Sequence, residues 1–418
     1  MQQTFLFIEQ SWLNWILLVW IVAGAGMLAW IANKKGFQQE FWSTVPVWLV
    51  GAFIIKLVVP VVMVEDPRDG EGLVLAIRGY GFFLLLGVVA GVGLAMHRSR
   101  QLGLHPDVTM NLCFCLFASG IIGARLFYVI QKWPQFTDNG QISFAKIINM
   151  TEGGLVVYGS IIGGAIGGII FVKIKKLPTL PVLDILAPCM MIGLSIGRIG
   201  CLMNGCCWGG ICETPLAFQF PEGSPPYSRH VETGELFGMR APPIKNVEKI
   251  EPREIKFVDP EGEAAKKGIK PGHKILDFVY DPNPSDQEIP DKIVYLIENE
   301  KNRAEIEFSA DSIPPVSRPV HPTQVYSSIN AILVFCFLWF YFPSRTRDGQ
   351  VIGLLMIIYP IGRFLLEMIR SDELGQFGTQ LTISQLTSLG SVVGGLALLI
   401  YGFYGLQRTE SLGTPQSA

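Results

Sequence analysis

Charge is scarce in this sequence. Asp, Glu, Lys and Arg make up 16% of the 418 residues, where an ordinary soluble protein carries about 25%. The formal net charge is −2, so the chain lacks the basic surface that binds nucleic acid. Half of the residues are hydrophobic, and the mean hydropathy is +0.38. This composition excludes an ordinary soluble enzyme and predicts an all-α polytopic membrane protein.

Several motifs of catalysis and targeting are also missing. The chain has no H-E-x-x-H and no convincingly placed serine–histidine pair, which argues against an intramembrane protease. Its eight cysteines include no C-x2-C pair of the kind that binds zinc. Residues 1–11 lack a basic n-region, so no cleavable signal peptide is expected and the first span serves as the export signal.

Long apolar stretches are what the sequence does have. About nine are long enough to cross roughly 30 Å of hydrocarbon as helices. The one at 45–64 is the least typical, because it contains Pro46, Lys56 and Pro60. The predicted spans are 12–32, 45–64, 73–96, 110–131, 154–174, 182–203, 321–342, 350–369 and 383–405.

Basic residues between the spans predict the orientation. They follow the odd-numbered spans, and the positive-inside rule places that side in the cytoplasm. The N-terminus and the long segment after the sixth span are then extracytoplasmic. The residues concerned are Lys34, Lys35, Arg98, Arg100, Lys173, Lys175, Lys176, Arg345 and Arg347.

A polar insertion, 211–318, interrupts the apolar sequence. Its first part, 211–244, is predicted to be irregular loop. Strands are predicted at 254–258, 274–280 and 303–309, and a helix at 292–300. GEAAKKGIKPGHKIL (262–276) resembles the segment of a PDZ domain in which a short helix leads into a strand. The resemblance covers about 245–310 and implies a small α+β/β extracytoplasmic domain that binds an extended peptide; the alternative is a spacer that binds nothing.

Four cysteines cluster after the sixth span, in the pattern C-x4-CC-x4-C. Cys201, Cys206, Cys207 and Cys212 permit three interpretations: a metal site, a disulfide, or thiols packed as small apolar side chains. Packing is the most economical of the three, because the spacing is not that of a zinc motif.

Charged side chains inside apolar spans are costly and indicate a functional site. Tyr359, Arg363, Glu367 and Arg370 are spaced i, i+4, i+8 and i+11, which predicts one helix face. Arg198 lies near the end of another span, and His321 begins a third. For Arg363 and Glu367 alone, the alternative to a functional site is a structural ion pair that braces two helices. Several arginines together in a site without water suit a phosphate group.

Small residues surround Tyr158 in GGLVVYGSIIGGAIGG (153–168). Most of these glycines are expected to serve close helix packing. The small neighbours also leave room beside the tyrosine hydroxyl for a lipid headgroup.

At these residues the chain resembles bacterial prolipoprotein diacylglyceryl transferases. The matching segments are RGYGFFLLLG (78–87), GARLFYV (123–129), EGGLVVYGSIIGG (152–164), GRIGCLMNGCCWG (197–209), HPTQVY (321–326) and YPIGRFLLEMIRSDE (359–373). The resemblance implies transfer of the diacylglyceryl group of phosphatidylglycerol to the lipobox cysteine of a preprolipoprotein in the bacterial cytoplasmic (inner) membrane. A thioether forms, glycerol phosphate is released, and neither a metal nor an organic cofactor is required.

The resemblance also implies site residues. Arg198 is expected to hold the phosphate, and Arg363, Tyr359 and Glu367 form a second catalytic group in which Glu367 orients an arginine. Tyr158 completes the catalytic set. Headgroup binding or site architecture is implied for Tyr80, Arg125, Asn204, Gly209, His321 and Arg370.

Two positions depart from the family pattern. Tyr158 stands where some members have histidine, and a hydroxyl with a pKa near 10 is a poor base at neutral pH. Cys201 stands where asparagine is common, and a thiol cannot make the paired contacts of an amide. Because of these departures, a catalytically inactive lipid-binding relative is one alternative function for the chain. An anionic-lipid transporter is the other.

The resemblance divides the chain into five regions. An additional N-terminal membrane region occupies 1–72, and the core occupies 73–210 and 319–405. The insertion at 211–318 lies between the two core parts, and a cytoplasmic tail follows at 406–418. Because the insertion faces the side on which lipoboxes arrive, we hypothesise that it guides preprolipoproteins.

Overall fold

The computed structural model describes residues 4–36, 73–138, 141–143, 146–147, 154–244, 251–280, 292–299, 302–370, 381–405 and 409, with separate positions between 44 and 65. Eight helices in this part of the chain are long and apolar enough to cross a membrane. They are α1 (Gln10–Lys35), α2 (Gly79–Gln101), α3 (Pro106–Gln131), α4 (Val157–Ile174), α5 (Thr179–Asn204), α8 (Thr323–Tyr341), α9 (Gln350–Glu367) and α10 (Ile383–Gly405).

These helices agree with eight of the nine predicted spans, and the chain is a multi-pass membrane protein. In the ninth, at 45–64, nine of the twenty residues lie outside the described part of the chain, so this span stays a prediction. The predicted span at 73–96 is wrong at its start, because Leu73–Arg78 is a strand (β3) that pairs antiparallel with β1 (Thr4–Glu9). A six-residue apolar run fits a strand as well as a helix, and its partner lies far away in sequence. The short strand β2 (Val64–Glu65) completes this sheet in the order β1-β3-β2.

The described chain divides into two compact units. One comprises Met1–Phe83 and Ile199–Gln324, and the other comprises Leu84–Arg198 and Val325–Ala418. The second unit contains most of the membrane helices. Its core lies between helices α2, α3, α4, α5, α8 and α9 and includes Ala187, Leu338 and Val351.

Glycines set the closest helix contact in the second unit, as expected from the small-residue pattern. A Cβ at Gly123 of α3 would lie 2.4 Å from the carbonyl oxygen of Gly159, and one at Gly159 would lie 2.4 Å from that of Gly123. No side chain larger than hydrogen fits between the two backbones at this crossing. The α3–α4 pair therefore requires glycine at both positions.

A buried carboxylate connects α5 to the start of α9. Asp184 is fully buried and accepts hydrogen bonds from the backbone N–H groups of Gly349 (2.8 Å) and Ile352 (2.9 Å). Arg345, also buried, places its Nε 3.9 Å from the same carboxylate. Asp184 thus acts as an N-cap for a different helix.

We expect Asp184→Ala to destabilise the protein by about 3–5 kcal/mol, because removal of one partner leaves a buried charge and two backbone donors unsatisfied. The thermal unfolding midpoint in detergent measures the effect. Asp107→Ala is the matched control, since that carboxylate is 82% exposed. Equal midpoints for the two variants would contradict the prediction.

The insertion contains more regular structure than its composition suggests. Within 211–244, predicted to be loop, Pro225–Thr233 forms a helix (α6) with prolines at its first two positions. Proline is well tolerated there, because the N–H groups that it lacks have no partner in a first turn. Pro225-Pro226, which is typical of a turn in the sequence, therefore marks the start of a helix here.

A four-stranded antiparallel sheet forms the second part of the insertion. Its order is β11 (Arg303–Ser309), β10 (Lys292–Glu298), β9 (Lys274–Val279) and β7 (Arg253–Glu254). The strands predicted at 274–280 and 303–309 are confirmed, and α7 (Glu263–Lys266) lies in the short helical segment. The strand predicted at 254–258 is instead two short ones, β7 and β8 (Phe257–Val258), and β8 pairs with β6 (Met239–Arg240).

The helix predicted at 292–300 is wrong, because 292–298 is strand β10. Ile293, Tyr295 and Ile297 are buried, and the residues between them are more exposed. This two-residue period buries one face of a strand, and the β-branched and aromatic residues of the segment favour a strand as well. The PDZ resemblance therefore lacks its long helix at these residues.

Burial lowers the pKa of His230 in α6 to about 4, assisted by the positive charges of Arg318 and Arg240. The Arg318 backbone N–H donates to Nδ1 at 3.2 Å. Glu235 lies 3.6 Å from Nε2, too far for a normal hydrogen bond, so burial outweighs its attraction for a charged ring.

This pKa predicts acid destabilisation of the insertion. Between about pH 6.5 and pH 4 the unfolded chain binds a proton at His230 that the folded chain does not, so stability falls as the pH decreases. The loss approaches about 3 kcal/mol below pH 4. Amide hydrogen exchange of α6 in the full chain, compared between wild type and His230→Gln at pH 7 and pH 5, measures it. We expect the loss of protection to be smaller in the variant; equal losses would contradict the assignment.

Candidate functional site

The residues predicted for the site fall into two groups, one in each unit. The second unit holds Arg125, Tyr158, Arg198, Tyr359, Arg363, Glu367 and Arg370. The first unit holds Tyr80, Asn204, Gly209 and His321, together with the cysteine cluster.

The end of α9 carries a buried carboxylate that contacts two arginines. The Glu367 side chain is 0% exposed, and its Oε2 lies 2.8 Å from Nη2 of Arg363 and 3.5 Å from Nη1 of Arg370. Thr382, at the start of the last helical segment, donates its hydroxyl to Oε1 at 3.1 Å. Glu367 therefore fixes two guanidinium groups beside each other.

The predicted helix face is correct for Tyr359, Arg363 and Glu367 but not for Arg370. Helix α9 ends at Glu367, and the N–H groups of Met368, Ile369 and Arg370 bond to carbonyls three residues back. This tighter last turn is common at helix ends. Arg370 approaches Glu367 from that turn.

Arg198 lies near the end of α5 and is half-buried. One turn earlier, Ser195 and Ser328 exchange hydrogen bonds between α5 and α8: each hydroxyl donates to the other residue's carbonyl, at 3.0 and 2.8 Å. These bonds fix the rotation of α5 at the turn that presents Arg198.

Arg125 of α3 is buried, and its side chain hydrogen-bonds to backbone carbonyls. Its guanidinium donates to the carbonyls of Lys146 (2.8 Å), Ile147 (2.8 Å) and Gly154 (3.1 Å). These carbonyls lie in the segment that leads into α4, where Tyr158 occupies the first turn. The geometry makes Arg125 a positioning residue for the start of α4.

The end of α5 is a Schellman turn. Gly205 has a left-handed backbone (φ 70°), the N–H of Cys206 bonds to the carbonyl of Cys201 (3.1 Å), and that of Gly205 bonds to Leu202 (3.1 Å). Asn204 ends the helix and is half-buried. This turn type uses a glycine to leave the helix, which explains the glycine after Asn204.

The segment after this turn pairs with the segment before α8. The N–H of Gly209 donates to the His321 carbonyl at 2.9 Å, and the N–H of His321 donates to Gly210 at 3.0 Å. A Cβ at Gly209 would lie 2.7 Å from Cβ of His321, so glycine is required at this contact. Gly209 and His321, far apart in sequence, are therefore neighbours.

Tyr80 begins α2 and packs its backbone against the end of α5. A Cβ at Gly200 would lie 3.1 Å from the Tyr80 carbonyl oxygen. The Tyr80 side chain is 41% exposed. The close backbone contact fixes the start of the helix.

Polar residues of α8 are an addition that the sequence analysis did not identify. Gln324 is buried and donates to the Cys206 carbonyl at 2.7 Å. The amide of Asn330 contacts the backbone of α9 at Gly362, one residue before Arg363: a Cβ at Gly362 would lie 2.6 Å from it. Gln324, Ser327 and Asn330 follow one another at three-residue spacing, so consecutive members are neighbours on the helix surface. That spacing of polar residues in an apolar helix is the signal that could have identified them.

Comparison with known proteins gives one consistent result. Residues 72–401 match the family model described as prolipoprotein diacylglyceryl transferase. A phosphatidylglycerol–prolipoprotein diacylglyceryl transferase of Rhodopirellula baltica is 34% identical over 95% of this chain and 87% of its own length. Those of Clostridium perfringens (enzyme 2) and Clostridium tetani are each 26% identical, over 82% and 77% of this chain and 97% and 92% of their own lengths. The family predicted from the sequence motifs is confirmed.

Proposed function

The chain belongs to the prolipoprotein diacylglyceryl transferase family, and on that basis we propose that it transfers the diacylglyceryl group of phosphatidylglycerol to the cysteine thiol of a prolipoprotein. The names of the relatives support this activity over an inactive lipid-binding protein or a transporter. A thiolate attacks the glycerol carbon bonded to the phosphate oxygen, a thioether forms, and glycerol phosphate leaves. The observation that carries the proposal is the pair of guanidinium groups fixed by Glu367.

The reaction requires hydrogen-bond donors that stabilise negative charge on the phosphate, and the arginines supply them. Negative charge grows on the phosphate oxygen as the carbon–oxygen bond breaks, and positioned donors stabilise that charge most strongly in a water-poor site. Arg198 holds the phosphate, and Arg363 assists beside Tyr359. Glu367 keeps Arg363 and Arg370 in place.

The remaining predicted residues act around the headgroup. Tyr80, Asn204, Gly209 and His321 contribute to headgroup binding or site architecture, as the family resemblance implies. Tyr158 of α4 belongs to the catalytic set, and Arg125 maintains the backbone before it. The positive-inside rule, applied to the basic residues after the predicted odd-numbered spans, supports an N-terminus and a site on the extracytoplasmic side of the cytoplasmic membrane.

The insertion, 211–318, guides the precursor to the site. An extended peptide segment adds to the edge strand β11 of its sheet, because an edge strand offers unpaired backbone groups. Deletion of 215–316 tests this role: slower lipidation with an unchanged affinity for phosphatidylglycerol supports it, and an unchanged rate refutes it.

Lipidation of a synthetic lipobox peptide by the purified full chain in phosphatidylglycerol micelles tests the activity. We expect a mass increase of one diacylglyceryl group and equimolar glycerol phosphate, and no change in a peptide with serine in place of the cysteine. Binding of phosphatidylglycerol without product would identify an inactive relative.

A further inference from the structure

Two polar side chains inside α8 have no hydrogen-bond partner in the part of the chain that the structure describes. The hydroxyl of Ser327 and the amide nitrogen Nδ2 of Asn330 are buried, and neither bonds to a described atom. Two other serines in membrane helices, Ser119 and Ser388, donate to the carbonyl four residues earlier, at 2.7 and 2.8 Å. This is a common way in which a helix satisfies a hydroxyl. Ser327 and Asn330 therefore carry donors that the described fold does not use.

Helix α9 makes room for the Asn330 amide. A Cβ at Gly362 would lie 2.6 Å from both Nδ2 and Oδ1 of Asn330, so any larger residue at this position would displace the amide. Gly362, Tyr359 and Arg363 lie within about 100° of one another around the helix axis. The amide is therefore placed against the face of α9 that carries the proposed catalytic arginine, and all of these residues belong to the second unit.

The amide lies deeper in the helix pair than the guanidinium of Arg363. That guanidinium pairs with Glu367 at the end of α9 (Nη2–Oε2 2.8 Å), whereas Gly362 precedes this end by five residues, or about 7.5 Å along the helix axis. In a glycerophospholipid the two ester carbonyls follow the phosphate on the side of the acyl chains. A lipid whose phosphate binds Arg363 therefore brings its ester carbonyls to the depth of Asn330.

We propose that Asn330 and Ser327 bind the ester linkages of phosphatidylglycerol, each by donating a hydrogen bond to an ester carbonyl. An ester carbonyl accepts hydrogen bonds and donates none, which matches the unused N–H and O–H groups. The inference rests on the proposed function and adds the part of the lipid that these residues recognise. They are substrate-binding residues that hold the glycerol backbone while the carbon–oxygen bond to the phosphate is attacked.

A bracing role between helices is the structural alternative. Polar side chains often join membrane helices by hydrogen bonds, and Ser195 and Ser328 do so between α5 and α8. The Asn330 amide touches α9 at Gly362, but its Nδ2 has no hydrogen-bond partner among the described residues. A buried donor without a partner is unfavourable, so bracing does not account for an amide at this position. A lipid ester that accepts from it does.

The test compares two phosphatidylglycerols that differ only in the linkage of their chains. Ether-linked dialkyl phosphatidylglycerol keeps the phosphate, the headgroup and the chain lengths of the diester lipid and lacks both carbonyls. At subsaturating lipid, the purified full chain should lipidate a lipobox peptide about tenfold faster with the diester, and Asn330→Leu or Ser327→Ala should each lower this ratio about threefold. The double variant should show a ratio close to one. Asn111→Leu, which replaces an exposed amide in α3, should keep the wild-type ratio.

Two further measurements separate lipid binding from structure and from catalysis. The thermal unfolding midpoint of Asn330→Leu should equal or exceed that of wild type, because the amide loses no hydrogen bond to the described fold and leucine has the same branching. Competition of the diester and the diether lipid for the full chain without peptide, followed by native mass spectrometry, should show the same preference as the rates.

The outcomes distinguish the inference from the proposed function. Equal use of the two lipids by wild type, or an unchanged ratio in the double variant, would overturn the ester-binding role and leave the transferase proposal intact. A lower midpoint in Asn330→Leu with equal rate losses for both lipids would show that the residue only braces the helices. Absence of transfer in every sample would refute the transferase instead, while the competition between the lipids would still decide the role of Asn330.

Discussion

Purified Arg198→Ala should transfer diacylglyceryl at less than about one-hundredth of the wild-type rate, because loss of one positioned donor to a developing oxyanion costs about 100- to 1,000-fold. Arg198→Lys should recover only a small part of the wild-type transfer rate, since an ammonium group retains the charge but lacks the bidentate geometry that matches phosphate. The initial rate of peptide lipidation in phosphatidylglycerol micelles is the measurement.

Two comparisons make the Arg198 prediction specific. Arg100→Ala, at the exposed end of α2, removes the same group away from the proposed site and should retain the wild-type rate. The thermal unfolding midpoint of Arg198→Ala should stay close to that of wild type, because Ser195 and Ser328 hold this part of α5 independently of the arginine. A rate within threefold of wild type would remove Arg198 from the mechanism.

Substitution of Glu367 should reduce both activity and stability. Glu367→Ala leaves the guanidinium groups of Arg363 and Arg370 without their shared buried carboxylate, which typically costs about 3–5 kcal/mol. We expect at least a 100-fold lower rate and a lower thermal midpoint. Glu367→Gln keeps the size of the side chain and an acceptor for Thr382, so it should be the more stable of the two variants while remaining nearly inactive.

Two further measurements, on a Thr382 variant and on a double-mutant cycle, separate the positioning role of Glu367 from a purely structural one. Thr382→Val removes the hydroxyl that donates to Oε1 of Glu367 and accepts from the backbone N–H of Gln385 at 3.2 Å, and it should lower the rate severalfold at most. In a double-mutant cycle, Arg363→Ala should cost little in activity once Glu367 is glutamine, because the two residues act as a unit. Full additivity of the two losses would show that Glu367 acts apart from Arg363.

The sequence was most informative where one physical requirement dominates. Apolar length alone located the membrane helices, because a span has no other way to satisfy its backbone in lipid. The four-residue spacing of Arg363 and Glu367 correctly indicated that they meet. The helix predicted at 292–300 was wrong although Ile293, Val294, Tyr295 and Ile297 favour a strand. The pairing partners of this segment, β9 and β11, were not evident in the sequence.

Contacts distant in sequence explain most of what was missed at the site. For Arg125 the sequence left headgroup binding and site architecture as alternatives. Its guanidinium donates to carbonyls of a segment whose path the sequence does not reveal. The pattern C-x4-CC-x4-C indicated a cysteine cluster, but the convergence of Cys201, Cys206 and Cys207 includes a left-handed backbone at Cys207, which a residue other than glycine does not indicate. Gln324 was visible in its motif, but its function follows only from its bond to the Cys206 carbonyl.

The ends of the insertion meet as a short antiparallel ladder. Ile211 and Phe218 both pair with Val320, Pro221 pairs with Val316, and the N–H of Cys212 donates to the Pro319 carbonyl at 3.0 Å. A segment that leaves and re-enters at one point can be gained, exchanged or lost in evolution without altering the lengths of the helices on either side. At such a ladder an inserted domain can be exchanged while the membrane helices on either side keep their lengths.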